Sequence, residues 1–268
     1  MGNRIGFFFI GIFINLQFFT SIPIKKEFNI TQKQIKYILQ TFPILGLIQG
    51  VMYAGLLYLL HSYTPLSDLM QALLLWLFLI ILSGGIHLDG WIDSSDAYFS
   101  FKDPVQRLEV MKDPRVGAFG VLSVVVFLFT RFIILYELIR FASPMTYLFI
   151  IIIPFLGKML LGIFLQTQPL ARKEGMAHFF QQGKSKNYWF LYTSYILIIG
   201  GVLALLDIEI ISVFLILIVV FFIFTILIAG SIRRNFTGIT GDTLGASSEG
   251  MELLLWMTLL LLHFYAMV

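Results

Sequence analysis

Cysteine is absent from all 268 residues. Disulfides, thiolate metal sites and thiol nucleophiles are excluded with it. Charge is scarce as well: Asp, Glu, Lys and Arg make up 12% of the chain against 59% hydrophobic residues, and mean hydropathy is +0.91. No soluble domain of this length needs so much apolar sequence, so the chain reads as a polytopic membrane protein. It lacks a polar linker long enough to separate two domains, and no low-complexity segment or clear repeat is visible. A single integral membrane domain over residues 1–268 is expected. No Gly-x4-Gly-Lys-Ser/Thr run occurs, which excludes a phosphate loop of that kind, and zinc-hydrolase spacing is missing too. No small-residue cleavage site accompanies the apolar Arg4–Phe19 stretch, which carries Asn15 and Gln17 and is followed by Pro23. That stretch is read as a first membrane segment rather than a removed signal.

Apolar stretches of spanning length lie near 5–22, 38–60, 68–86, 116–139, 145–165, 188–206, 209–232 and 251–268. In lipid they must be helices, because only a helix satisfies its own backbone. The expected fold is therefore all-α, a transmembrane bundle of about seven to eight spans. The connections alternate in charge. Lys25, Lys26, Lys33 and Lys36 lie in one, Lys102, Arg107, Lys112 and Arg115 in the next, then Arg172, Lys173, Lys184 and Lys186, then Arg233 and Arg234. The intervening connections, His61–Ser67, Arg140–Pro144 and Asp207–Glu209, hold almost no basic residues. The excess of Lys and Arg places the four basic connections in the cytoplasm of a cell-membrane protein, with both termini outside. Every chemical cluster then falls on the cytoplasmic side. No nucleic-acid partner is expected; the lipid bilayer is.

The run Gly84-Gly85-Ile86-His87-Leu88-Asp89-Gly90-Trp91-Ile92-Asp93-Ser94-Ser95-Asp96 carries the strongest signal. On a helix, Asp89, Asp93 and Asp96 fall at i, i+4 and i+7, one narrow stripe. Three like charges beside an apolar span need a cation to offset them. Oxygen ligands at this density suit Mg²⁺, which commonly binds through carboxylates together with substrate phosphates. His87 points away from the stripe on an ideal helix; a general base and a packed histidine are both open readings.

A second constellation runs from Arg107 to Gly120 and contains Asp113 and Arg115 at the mouth of a Gly-x-x-Gly helix entry. Arginine there suits a forked grip on phosphate. A third, Thr237–Glu249, follows Arg233-Arg234 and holds Gly241, Asp242, Thr243 and Glu249. A Gly/Thr loop opening a helix can present backbone N–H groups to phosphate. Asp242 is either an N-cap or, with Glu249 seven residues on, part of the site. Lys158 and Arg131 are charges inside apolar spans and functional hypotheses by default; Glu137, six residues from Arg131, is poorly spaced to pair with it. The Ala171–Met176 basic loop is assigned to anchoring at the membrane surface. Together these groups describe an acidic metal site ringed by arginine and glycine, suited to phosphoryl transfer.

These residues resemble the cobalamin synthase family, the adenosylcobinamide-GDP ribazoletransferases, over nearly the whole chain. The resemblance is carried by Phe18–Pro23, Phe42–Gly46, the Gly84–Gly90 block with Asp93 and Asp96, Met111–Gly120 and Gly238–Glu249. Ala97, Pro114 and Lys158 depart from the family pattern, which usually has Gly, Ser and Arg there. The resemblance implies a Mg²⁺-dependent phosphotransferase joining adenosylcobinamide-GDP to α-ribazole, or its 5′-phosphate, with release of GMP. It is compatible with a homo-oligomer or with association with other enzymes of cobalamin assembly. Two other readings compete. A CDP-alcohol phosphotransferase would need an Asp-Gly-x-x-Ala-Arg run, and Asp89-Gly90-Trp91-Ile92-Asp93-Ser94 stands in its place. An ion-coupled transporter would place its carboxylates near the midplane and show internal repeats.

Overall fold

A computed structural model describes residues 2–28 and 30–266. Its described elements are α1 (Gly2–Phe19), α2 (Gln32–Tyr63), α3 (Asp68–Ser83), α4 (Ile86–Phe99), α5 (Pro104–Val110) and α6 (Ala118–Arg140) in the first half. The second half holds α7 (Pro144–Thr167), α8 (Gly175–Gln181), α9 (Tyr188–Leu206), α10 (Ile208–Phe236) and α11 (Gly241–Ala266). No strand is present among the described residues; one isolated parallel bridge joins Leu170 to Ile239. The all-α expectation holds.

Each apolar stretch coincides with a helix, but fewer qualify as spans than the seven to eight expected. Among the described residues five are long and apolar enough to cross a membrane (α2, α6, α7, α9 and α10), or six if α3 and α4 form one bent span. The first stretch is apolar only over Ile5–Phe19. The last stretch lies on α11, whose first half carries Asp242, Glu249 and Glu252, and the stretch at 251–268 ends outside the described residues.

The bundle centres on α2 against α7, whose backbones nearly touch. A Cβ on Gly46 would lie 2.6 Å from Phe155 Cα, and one on Gly50 would lie 2.5 Å from the Ile151 carbonyl oxygen. Small residues permit such approaches where lipid supplies no hydrophobic drive for association. Pro43 lies inside α2 and cannot donate to the Leu39 carbonyl one turn earlier. The Tyr192 hydroxyl of α9 donates to that carbonyl at 2.6 Å, so the break is satisfied by a neighbouring helix. On the other side of α2, buried Asn15 of α1 donates to the Ile38 carbonyl and to Thr41 Oγ1, each at 2.9 Å.

One bend positions the functional residues. Gly84 and Gly85 both adopt left-handed backbone, at φ 64° and 73°. Side chains with a Cβ disfavour that conformation, and two such residues in succession turn the chain sharply. α3 therefore ends at Ser83, and α4 leaves it at 87° instead of continuing the span through residue 86. The aspartate stripe lies on this turned helix, held between α6 and α11.

Candidate functional site

α4 and α11 cross through glycine. A Cβ on Gly90 would sit 2.6 Å from the Asp242 carbonyl oxygen, and one on Gly245 would sit 3.0 Å from His87 Cα. This contact brings Asp89 and Asp242, from two helices, onto one cavity of about 100 Å³. The cavity's body is apolar, with Phe19, Phe42, Leu161 and Phe180 in its walls. A second cavity of about 340 Å³ shares Met176, Gly241 and Asp242 with it and adds Arg172, Glu174 and Thr240. An apolar chamber thus meets a polar one at Asp242.

The acids influence one another. Burial first, then the charges of Asp89, Asp242 and Asp96, push the Asp93 carboxyl up to about 6. Burial also raises Asp242, against a lowering by Arg172. Asp96 accepts from the Gly120 N–H at 3.3 Å, at the start of α6, and a Cβ on Gly117 would overlap its carboxylate. The stripe expected on α4 therefore exists, with Asp89 exposed and Asp93 and Asp96 half-buried. No group of three or more His, Asp or Glu side chains among the described residues is arranged to hold a metal ion by itself. The donors on the stripe are all carboxylate oxygens, the ligand type of Mg²⁺, which commonly takes one or two carboxylates together with substrate phosphates and water.

Asp242 is not the N-cap of α11. Thr240 fills that place: its Oγ1 accepts from the Thr243 N–H at 3.1 Å, and Thr243 Oγ1 accepts from the Thr240 N–H at 2.8 Å. The same Thr240 hydroxyl donates to Asp242 Oδ2 at 3.4 Å, and the Asp242 carboxylate lines the cavity. The reciprocal cap also occupies Thr243, which is buried and holds the loop, not a ligand. Gly241 lines both cavities.

Glu249 lies elsewhere than expected. It is buried and takes Arg131 Nη1 at 2.6 Å. Arg131 Nη2 reaches Glu252 at 2.9 Å, and Glu252 accepts from Lys158 Nζ at 2.8 Å. Two cations and two carboxylates from α6, α7 and α11 close a neutral lattice among apolar helices. A Cβ on Gly157 would collide with Glu252 Cγ at 2.5 Å, so that glycine makes its room. Lys158 is therefore a buried lattice member and not a substrate ligand. Its Nζ also lies 3.3 Å from His87 Nδ1. An ammonium has only donors, so Nδ1 accepts and the ring proton sits on Nε2. His87 is buried and lines the apolar chamber.

The remaining expected phosphate ligands are scattered. Arg115 and Asp113 pair with each other at 2.6 Å, with the arginine side chain 87% exposed. Arg107 donates to Asn235 at 2.6 Å and stacks over Tyr98. Arg233 returns to its own helix at the Ala229 carbonyl, and Arg234 is exposed. None of these lines either cavity at Asp242. Arg172, assigned to the membrane surface, does. Glu252 was missed altogether. Its signal was present: two cations inside apolar spans and two acids one helical turn apart require each other.

The family described as Cobalamin-5-phosphate synthase matches residues 11–260. A protein of Geobacillus sp. (strain WCH70) named adenosylcobinamide-GDP ribazoletransferase is 36% identical over 96% of this chain and 98% of its own. Proteins of the same name from Geobacillus thermodenitrificans and Desulfitobacterium hafniense are 35% and 33% identical, over 96% and 91% of this chain and 97% and 93% of theirs. No solved structure matches significantly.

Proposed function

The chain belongs to the cobalamin-5-phosphate synthase family, and from that premise we infer that it is an adenosylcobinamide-GDP ribazoletransferase. The observation that carries the chemistry is the meeting of Asp89 and Asp242 on one cavity at the Gly90–Gly245 crossing. The ribazole hydroxyl oxygen forms a bond to the phosphorus on the cobinamide side of adenosylcobinamide-GDP. The bond from that phosphorus to the bridging oxygen breaks, and GMP leaves with that oxygen. The hydroxyl proton passes to Asp242, whose burial raises its proton affinity. Asp89 and Asp93, with Asp96 beside them, would hold Mg²⁺, which when bound neutralises charge on the transferring phosphate. The apolar chamber suits the aromatic base of α-ribazole, and the polar chamber suits the diphosphate. The family match favours this reading over a CDP-alcohol phosphotransferase or a transporter.

Purified protein incubated with adenosylcobinamide-GDP, α-ribazole and Mg²⁺ is expected to release GMP. Absence of GMP with both α-ribazole and its 5′-phosphate would overturn the assignment.

The basic connections face the cytoplasm in this proposal. The cysteine-free chain allows a clean check. A cysteine replacing exposed Lys173 is expected to resist an impermeant thiol reagent in intact cells and to react once the membrane is opened. Labelling in intact cells would invert the topology.

A further inference from the structure

An acidic cavity repels a diphosphate unless a cation compensates it. We propose that Arg172 is a cation of the chain's own that does so beside any bound Mg²⁺: it grips the diphosphate of the nucleotide-bearing substrate in the cavity between the 168–175 loop and the start of α11. The proposal rests on the transferase reading above.

Arg172 is placed by a rigid clip. The Ile239 N–H donates to the Pro169 carbonyl at 2.8 Å, and the Ala171 N–H donates to the Ile239 carbonyl at 3.0 Å. Gly238 permits this closeness, since a Cβ there would lie 2.5 Å from the Pro169 carbonyl oxygen and 2.7 Å from the Ala171 nitrogen. Arg172 follows this clip by one residue on one segment. α11 begins two residues beyond it on the other.

The guanidinium is then oriented by Nη2, which donates to the Leu108 carbonyl. Arg172 lines the cavity with Asp242 and Gly241. Its charge is felt at Asp242 and at Glu174, yet it belongs to none of the ion pairs among the described residues. A half-buried, pre-oriented and unpaired guanidinium beside a cavity is a ready anion ligand. Its fork matches two phosphate oxygens, a grip that the point charge of lysine does not reproduce. The other cations proposed for this task are engaged elsewhere or lie outside both cavities.

Arg172→Gln and Arg172→Lys, in otherwise intact protein reconstituted in vesicles, test the assignment. For Arg172→Gln the KM for adenosylcobinamide-GDP is expected to rise at least about tenfold, the scale of one charge-assisted hydrogen bond. The KM for α-ribazole should stay near its parent value. Lysine should recover part of the loss, and added guanidinium ion should partly rescue the glutamine variant. Binding of GDP alone, measured by calorimetry, should weaken in parallel. Unchanged KM and GDP affinity in both variants would overturn the proposal. So would a rise in both KM values with a lowered melting temperature, since that marks Arg172 as a staple to Leu108. If the parent protein releases no GMP, the transferase reading fails, and the GDP comparison still decides whether Arg172 binds a diphosphate.

Discussion

Replacing Asp89 or Asp93 by asparagine is expected to lower GMP release by on the order of 10²- to 10³-fold, the loss typical of removing one electrostatic group at a reacting centre. The protein should still insert and fold. Asparagine keeps the shape of aspartate and removes only its charge. Asp93 is held among Asp89, Asp242 and Asp96, so deleting one charge relieves repulsion and costs the fold nothing. The loss should therefore appear in turnover and in the Mg²⁺ concentration required, not in thermal stability. Near-normal turnover of both variants at limiting Mg²⁺ would remove these carboxylates from the reaction.

Glu252→Gln and Arg131→Met are expected to act in the opposite way, through stability. Removing one member of a buried ion pair leaves its partner uncompensated and typically costs about 3–5 kcal/mol. Arg131 bridges Glu249 and Glu252, and Lys158 depends on Glu252. Each single variant should accumulate poorly in the membrane and melt early in detergent. Arg131→Met combined with Glu249→Gln removes one charge of each sign and should lose less than the sum of the two. Single variants as stable as the parent would show that the lattice is not structural. Glu249→Gln alone also separates two roles. A proton acceptor would lose rate at unchanged stability; a lattice member loses stability first.

Much of the site was legible from local pattern. Asp89, Asp93 and Asp96 repeat at helical spacing, and α4 is a helix, so their common stripe required no tertiary information. Gly84 and Gly85 announced a break, but not its angle. A pair of left-handed residues can send a chain in several directions, and packing of α4 on α6 and α11 selected 87°. Arg172 and Arg115 show the limit more sharply. Both stand in basic loops of similar composition, and only the backbone clip at Gly238 turns one toward the acids while the other pairs with Asp113 in the open.

By itself the sequence determined the membrane-bound all-helical class, the absence of thiol chemistry, the acid-bearing helix and the family. Each depends on composition or on short-range periodicity, which chain connectivity alone imposes. Tertiary structure decided which charges meet. Asp242 joined Asp89 across the Gly90–Gly245 crossing, while Glu249, on the same helix and seven residues away, was drawn to Arg131. Two full turns carry a side chain about 10 Å along a helix axis. A carboxylate placed that deep among apolar helices must find a cation, whereas one at the helix start can face a cavity and an anionic substrate.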